Sequence, residues 1–220
     1  ADTTTDVTAA TSSDVGYLSL SGDGTLVAFS TFANELTPDP DDDLSHVFLH
    51  DLATDTTTNV TAGGDGDSYE PVLSADGTTL VFLSQASNLD GPPRDERSLF
   101  AADVATGDIV NVTPGIDRLV DEGFSVSANG AIVAFASSAT GLTGDPDNNH
   151  ASDVFVTGTA PGSPFLNLTA STFLGDEPED VGSGQPAIAG GASSVTFVSE
   201  DPGLVGEGRT SLVRAVTGQP

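Results

Sequence analysis

Short runs of alternating apolar and polar residues recur along the chain, separated by clusters of Gly, Pro, Asp and Asn. Alternation with a period of two is typical of half-buried β-strands, and the clusters are typical of turns. In the most regular runs an aliphatic residue precedes a Phe by two positions, so both side chains lie on one face of a strand. These pairs are Val27 and Phe29, Leu80 and Phe82, Val133 and Phe135, and Val195 and Phe197. The pattern predicts an all-β protein without a convincing helix.

The run occurs in four copies, which makes the chain an internal repeat. The copies read SGDGTLVAFS at 21–30, SADGTTLVFLS at 74–84, SANGAIVAFAS at 127–137 and AGGASSVTFVS at 189–199. Their phenylalanines are spaced 53, 53 and 62 residues apart, close to the length of a four-stranded propeller blade of about 40–50 residues. The repeat therefore predicts a single four-bladed β-propeller domain over 1–220, with blades at 17–68, 69–122, 123–184 and 185–220.

Each repeat carries further strands around this run. The first strands contain Leu18 and Leu20, Val72 and Leu73, Phe124 and Val126, and Ala187 and Ile188. The third strands contain Val47 and Phe48, Leu99 and Phe100, Val154 and Phe155, and Leu212 and Val213, and the fourth strands lie at 56–61, 108–113 and 165–169. An Asp-Gly or Asn-Gly pair, which is favourable for tight hairpins, follows the first strand in three copies. The fourth copy has Gly190-Gly191-Ala192 there, so we expect a different turn type.

The last copy stops where its fourth strand should begin, and the N-terminus supplies a matching sequence. DTTTDVT at 2–8 repeats TDTTTNVT at 54–61 almost letter for letter. The sequence thus predicts a circularly permuted last blade, in which residues 1–16 complete the C-terminal sheet. The predicted assembly strand is Asp2, Thr3, Thr4, Thr5, Asp6, Val7 and Thr8, and its acceptor is Ser211, Leu212, Val213, Arg214, Ala215 and Val216.

This pairing would remove an exposed sheet edge that otherwise promotes aggregation. The strand could come from the same chain, which gives a closed four-bladed monomer able to bind a ligand or a protein. It could instead come from a neighbour, and such a head-to-tail contact builds a larger ring or a filament. A fragment of a longer propeller is the third alternative. The partner that the sequence predicts is a second copy of the chain, in a homo-oligomer or filament.

The quoted motifs resemble the TolB-type, WD-repeat-like β-propeller family. The resemblance is strongest at Ser21-Gly22-Asp23-Gly24 with Val27 and Phe29, at Ser74-Ala75-Asp76-Gly77 with Phe82, and at Asp153-Val154-Phe155. It implies a propeller fold and an extracytoplasmic interaction module. TolB itself resembles a six-bladed ring with an additional domain, whereas this chain has four repeats, so the partners of TolB are not implied.

Composition narrows the classes of partner and location. Asp and Glu number 33 against five basic residues, giving a formal charge of −28, which argues against binding to nucleic acid or anionic membranes. No apolar run reaches the roughly 18–20 residues of a membrane-spanning helix, so we expect no membrane insertion. The absence of Cys excludes disulfides, thiolate zinc sites and Cys nucleophiles. A chain that begins at Ala1 predicts a secreted protein whose signal peptide has been removed, extracellular or at the cell surface.

An acidic loop in the third repeat is a candidate metal site. Asp145, Asp147, Asn149 and Asp153 occupy alternating or nearly alternating positions and offer the hard oxygen ligands that Ca²⁺ takes in groups of six to eight. The alternative is a solvated acidic loop whose Asp and Asn side chains cap turns. Calcium is thus a possible cofactor.

Two other motifs bear on modification and catalysis. Asn59, Asn111 and Asn167 each begin an N-x-T sequon, which predicts glycosylation unless the Thr recurs only because the strand repeats. His46 and His50 alternate onto one face of the third strand, where a structural role is expected. No G-x-S-x-G elbow, H-E-x-x-H helix or Lys-containing phosphate loop occurs, so we predict a non-enzymatic protein.

Overall fold

The computed structural model is built from β-strands in four antiparallel sheets, three with four strands and one with three. It describes residues 4, 6–8, 11, 13–39, 42–90, 97–114, 123–139, 142–143, 151–169, 182–205 and 211–215. The strands of the first two sheets are β1 Val15–Leu20, β2 Leu26–Thr31, β3 His46–Asp51, β4 Thr56–Asn59, β5 Ser68–Leu73, β6 Thr79–Ser84, β7 Ser98–Asp103 and β8 Ile109–Asn111. Those of the other two are β9 Phe124–Val126, β10 Ile132–Ser137, β11 Asp153–Gly158, β12 Leu166–Asn167, β13 Ser183–Ile188, β14 Val195–Ser199 and β15 Ser211–Ala215.

Every sheet is a meander in chain order, β1-β2-β3-β4, β5-β6-β7-β8, β9-β10-β11-β12 and β13-β14-β15. The prediction of an all-β chain with one sheet per repeat is confirmed. Within the described part of the chain two short helices accompany the strands, the 3₁₀-helix Asn34–Leu36 and the single-turn helix α1 Pro202–Val205. No helix within the described ranges is long and apolar enough to cross a membrane.

The chain divides into two compact units, residues 1–109 and 110–220. In the first unit Ala28 and Val47 of the first sheet pack with Leu73, Leu80 and Phe82 of the second. In the second unit Ala134 and Val154 of the third sheet pack with Val195 and Phe197 of the fourth. Within each unit the core therefore lies between two successive sheets. It contains the predicted pair Leu80 and Phe82 in the first unit and Val195 and Phe197 in the second. From the first and third sheets it contains Ala28 and Ala134, which alternate with the predicted pairs of those strands.

A residue with positive φ lies three positions before the last residue of the first strand in every sheet. Tyr17, Glu70 and Gln185 have φ of 48°, 53° and 52°, and Gly123 takes the same place before β9 with φ 91°. In β1, β5 and β13 the pairing register shifts at this point, which is the behaviour of a β-bulge that re-aims the strand. The positive φ thus recurs in all four repeats, although three of the four residues that adopt it are not glycine.

The hairpin between the first two strands has one geometry in all four sheets. The Gly24, Gly77 and Gly130 amides donate to the Ser21, Ser74 and Ser127 carbonyls, and these glycines have φ of 73°, 72° and 67°. In the fourth sheet the Ala192 amide donates to the Ala189 carbonyl at 2.7 Å, with φ 55° at Ala192. The expectation of a different turn type was therefore wrong, because Ala192 accepts the left-handed conformation that glycine adopts elsewhere.

Candidate functional site

The fourth sheet has an outer strand with one described neighbour. β15 pairs with β14 in the register Phe197 to Val213 and Thr196 to Arg214. In each of the other three sheets the third strand also pairs with a fourth strand on its other side. Among the described residues β15 has no such second neighbour. The predicted acceptor residues 211–215 form β15, and Val216 lies outside the described residues.

The N-terminal segment is only partly described. Thr4, Asp6, Val7 and Thr8 are described and lie outside any strand, with Val7 and Thr8 in a turn. Asp2, Thr3 and Thr5 fall outside the described residues. The predicted pairing of this segment with β15 therefore stays a prediction.

The end of this segment nevertheless has the local geometry of a fourth strand. The Thr8 amide donates to Asp6 Oδ1 at 3.0 Å. The same bond, from the Thr amide to the side-chain oxygen two residues earlier, closes β4, β8 and β12: Thr61 to Asn59 at 3.1 Å, Thr113 to Asn111 at 2.9 Å, and Thr169 to Asn167 at 2.8 Å. This side-chain turn is a property of the local sequence and needs no partner strand.

The turn that follows is repeated as well. The Thr11 amide donates to the Thr8 carbonyl at 2.9 Å, and the Gly64 amide donates to the Thr61 carbonyl at 3.0 Å. Thr8 and Thr61 each stand seven residues before the next first strand, β1 or β5. The connection from Thr8 to β1 thus has the same length and the same first turn bond as the connection from Thr61 to β5.

The threonine at the end of a fourth strand attaches that strand to the third. The Thr61 hydroxyl oxygen accepts the Val47 amide at 3.1 Å, and the Thr169 hydroxyl oxygen accepts the Val154 amide at 2.9 Å. Thr61 is fully buried, and Thr169 nearly so. The recurring Thr therefore satisfies a backbone amide at the start of the third strand, which would otherwise be an unpaired buried donor.

This role bears on the three sequons. In Asn59, Asn111 and Asn167 the side-chain oxygen accepts the amide two residues later, and Asn167 Nδ2 also donates to Asp153 Oδ2 at 2.6 Å. The sequon pattern thus has a structural cause in the repeat. Glycosylation stays a prediction, and a glycan would have to be attached before these side chains are engaged.

Asp153, the last residue of the predicted calcium site, is the first residue of β11. Its side chain is buried, and its two oxygens accept hydrogen bonds from the Thr169 hydroxyl at 2.8 Å and from Asn167 Nδ2 at 2.6 Å. Asp145, Asp147 and Asn149 lie outside the described residues. Within the described ranges no group of three or more His, Asp or Glu side chains is placed to hold a metal ion. The calcium site stays a prediction.

The two histidines of β3, His46 and His50, are buried, and both side chains form hydrogen bonds. His46 Nδ1 lies 3.1 Å from the Thr61 hydroxyl, and His46 Nε2 lies 3.1 Å from Asp42 Oδ1. Burial raises the pKa of Asp42, but hydrogen bonds from the Leu44 amide and His46 outweigh it and hold that pKa below its ordinary value. A carboxylate, an imidazole and a hydroxyl are thus connected in the order of a nucleophilic triad, through Asp42, His46 and Thr61. The Thr61 oxygen is buried and accepts a backbone amide, so it cannot reach a substrate.

A cleft of about 790 Å³ opens in the first unit where β1 begins. Its lining includes the acidic residues Asp14 and Asp67 and the aromatic residues Tyr17, Phe32 and Tyr69. Tyr17 and Phe32 are more than half exposed. Sequence reasoning missed this cleft, because its walls come from strand ends that the repeat pattern treats separately.

Comparison with known proteins agrees with the fold. The structure resembles TolB from Acinetobacter baumannii with a TM-score of 0.55 and 16% identity, covering 93% of this chain and 41% of that one. It resembles the putative TolB from Agrobacterium tumefaciens with a TM-score of 0.54 and 19% identity, covering 94% of this chain and 66% of that one. A 77-residue stretch is 34% identical to dipeptidyl-peptidase 5 of Porphyromonas gingivalis, covering 35% of this chain and 11% of that protein.

No family model matches the chain. The likenesses confirm the TolB-type β-propeller fold expected from the motifs. The chain spans about two-fifths to two-thirds of the length of these TolB structures and about a tenth of the peptidase. The shared fold is a propeller-like one.

Proposed function

We propose that this chain is a non-catalytic, extracellular structural module whose copies associate head to tail by donating residues 2–8 to β15 of a neighbour. The observation that carries the proposal is the difference between the sheets: β15 has no fourth strand beside it among the described residues, and the chain contains one extra segment with the sequence and the closing turn of a fourth strand.

The expected register follows from the first sheet. There Leu49 pairs with Thr58, and Phe48 pairs with Asn59. Placing Val213 at the position of Phe48, as the pairing of both with the phenylalanines of β2 and β14 requires, sets Arg214 opposite Thr5. Backbone pairing along this strand would supply most of the contact, since a chain of formal charge −28 repels its own copies.

An engineered disulfide tests the pairing directly, because the chain has no cysteine of its own. The variant Thr5→Cys with Arg214→Cys places two thiols at opposed positions of an antiparallel pair, which is within reach of a disulfide. The matched control is Leu49→Cys with Thr58→Cys, an equivalent pair inside one sheet. After mild oxidation we expect a ladder of disulfide-linked multimers from the first variant and only linked monomers from the control, on non-reducing gels.

Two outcomes would contradict the proposal. Linked monomers alone from the Thr5 and Arg214 pair would show that the strand closes within its own chain. No disulfide at all, with the control pair oxidised, would show that residues 2–8 do not lie beside β15. Deletion of residues 1–9 offers a second measure, because donating chains should then fall to subunits in sedimentation velocity.

The cleft beside β1 favours a second candidate, a closed monomer that binds a ligand or protein. Its volume of about 790 Å³ lies within the range of about 300–1,000 Å³ common for ligand sites. Exposed aromatic rings next to carboxylates suit a cationic or sugar-like ligand. A chain that stays monomeric at every concentration, and whose ligand binding is lost in Tyr17→Ala, would support this candidate.

A further inference from the structure

The cleft of the first unit lies where the ends of four strands meet. It is formed where β1 begins, where β2 ends, just before β3 and at the start of β5. All of its lining residues belong to the first unit. Both tyrosines of the chain, Tyr17 and Tyr69, line it together with Phe32. Three aromatic rings are therefore gathered in one cavity.

Two carboxylates, Asp14 and Asp67, line the same cleft. Asp67 Oδ1 accepts the Ser45 amide at 2.9 Å, which fixes that carboxylate beside the start of β3. Within the described part of the chain no hydrogen bond reaches Asp67 Oδ2 or either side-chain oxygen of Asp14. These oxygens can therefore accept hydrogen bonds from a ligand.

The buried hydroxyl groups of the cleft are already engaged. Ser30, Thr31 and Ser45 are buried, and their hydroxyls donate to backbone carbonyls at 3.2, 2.9 and 3.1 Å. The described lining contains no Asn, Gln, Lys or Arg. The cleft thus offers acceptors and aromatic rings but few side-chain donors. A sugar hydroxyl both donates and accepts hydrogen bonds, whereas a nitrogen cation only donates, so this balance favours a cation over a sugar.

Among nitrogen cations, a guanidinium group fits these side chains best. It is planar, pairs with a carboxylate through two parallel hydrogen bonds, and stacks on aromatic rings. The two side-chain oxygens of Asp14 can accept such a pair, and Asp67 Oδ2 can accept one further hydrogen bond. An ammonium group is a compact point charge without a planar face, so it would leave the rings less well used.

One tyrosine of the cleft already contacts a guanidinium group of the chain. Arg97 Cζ lies 5.9 Å from the centre of the Tyr69 ring, within the roughly 6 Å range of a cation–π contact. Arg97 does not line the cleft. The contact shows that a ring at this place accepts a guanidinium neighbour, and Tyr17 and Phe32 supply two further rings for a ligand.

The charge of the whole chain acts in the same direction. Its formal charge of −28 attracts cations over a distance and speeds their association, and added salt screens this attraction. The two aspartates and the aromatic rings then provide short-range contacts that salt screens less. Binding in the cleft should therefore weaken with salt without being abolished.

We propose that this cleft binds a guanidinium group, with Asp14 and Asp67 as hydrogen-bond acceptors and Tyr17 and Phe32 as stacking rings. The group belongs to a small free guanidinium compound or to an arginine side chain of a peptide, since both present the same chemistry. The inference goes beyond strand donation and does not require it. It names the ligand class for the cleft of the second candidate function.

Calorimetric titration of the full chain with matched probes tests the ligand class. The titrations are made at about 0.1 M salt, where charges more than about 10 Å apart are largely screened. Acetyl-arginine amide carries the guanidinium group, and acetyl-citrulline amide has the same shape without the charge. We expect the arginine probe to bind and the citrulline probe to bind at least about tenfold more weakly, because charge-assisted hydrogen bonds to the carboxylates are lost.

Two further probes distinguish the sources of the group, ethylguanidinium and the peptide acetyl-Gly-Arg-Gly amide. Equal dissociation constants for these probes indicate a small free compound. Tighter binding of the peptide indicates an arginine within a polypeptide. Either result supports the guanidinium site.

Variants of the cleft locate the site. Asp14→Asn removes a charged acceptor and keeps the backbone carbonyl that binds Thr31, and Tyr17→Leu removes a ring. Each should raise the dissociation constant of the arginine probe about tenfold, with an unchanged melting temperature. The matched control Asp55→Asn removes the same charge just before β4, at the other end of β3 from the cleft. It should leave the dissociation constant within about twofold of the wild-type value.

Equal binding of the arginine and citrulline probes, or no binding of either, would overturn the inference. Equal weakening by Asp55→Asn would also overturn it, because the attraction would then come from the net charge and not from the cleft. The Thr5 and Arg214 disulfide is a separate measurement. If the probes fail while that disulfide links copies, strand donation stands and the guanidinium site is wrong. If the probes bind while it links only single chains, the site stands in a closed monomer.

Discussion

Leu73 and Leu20 hold the same position in the first strands of successive sheets, yet one is 5% exposed and the other 57% exposed. The neighbouring letters are similar, with Val72-Leu73-Ser74 in one sheet and Ser19-Leu20-Ser21 in the other. Within the first unit the first sheet packs against Leu73, whereas β1 is the first described strand of that unit and has no preceding sheet within it. In a repeat of stacked sheets, the burial of a first-strand position therefore depends on the sheet that packs against it.

The largest expected effect comes from truncating the two leucines. Leu73→Ala removes a buried side chain from the core of the first unit, and such changes cost about 2–5 kcal/mol. Leu20→Ala in the dissociated chain should cost less than about 0.5 kcal/mol, as exposed substitutions usually do. Urea unfolding of both variants at low protein concentration makes the comparison, and equal losses would contradict it.

The next largest effect on the free energy of unfolding comes from Thr61, which follows β4, compared with Thr8, which holds the matching position in the N-terminal segment. Thr61→Val keeps the shape of the side chain but leaves the Val47 amide without its acceptor, and a buried unsatisfied donor costs about 1–3 kcal/mol. Thr8→Val should leave the free energy of unfolding of the dissociated chain unchanged, because its matching amide lies on another copy under the proposed assembly. Loss of stability in both variants would place Thr8 inside its own chain.

The strands could be predicted well from the sequence because the same alternating pattern occurs in every copy of the repeat. The recurring Asn and Thr of the fourth strands were also visible in the sequence, but they were interpreted as sequons. The hydrogen bonds of these Thr side chains to the start of the third strand can be seen only once the strands are paired. The cleft and the exposed face of β1 were not predictable, because both depend on which strand ends lie together. The fourth hairpin was misjudged because Ala192 adopts a backbone conformation that its residue type disfavours.

That hairpin supplies a smaller, stabilising effect. Ala192 has φ 55° where three other sheets have glycine, and a left-handed residue with a Cβ costs about 1–2 kcal/mol. After the greater chain entropy of glycine is subtracted, Ala192→Gly should raise the free energy of unfolding by about 0.5–1 kcal/mol. The reverse change Gly24→Ala, where a Cβ meets nothing within 4 Å, should lower it by a similar amount. Thermal unfolding of both variants checks the opposite signs.

The smallest effect is a dependence on pH that the hairpin carboxylates introduce. The hydrogen bond from the Ser74 hydroxyl, followed by those from Thr78, holds the pKa of Asp76 below its ordinary value. A pKa that is lower in the folded chain means that this carboxylate contributes stability above its unfolded pKa, near about 4. The contribution is lost as pH falls through the folded pKa.

Ser74→Ala should therefore raise the pKa of Asp76 toward that of a free carboxyl, as followed by NMR titration of its side-chain carbon. We then compare the change in the free energy of unfolding that Asp76→Asn causes in the wild type and in Ser74→Ala. Between pH 7 and pH 3 this change should vary less in Ser74→Ala than in the wild type. Because the same Ser and Asp recur at Ser21 and Asp23, Ser21→Ala should do the same to Asp23. A response at only one hairpin would show that the repeat does not give the two turns the same electrostatics.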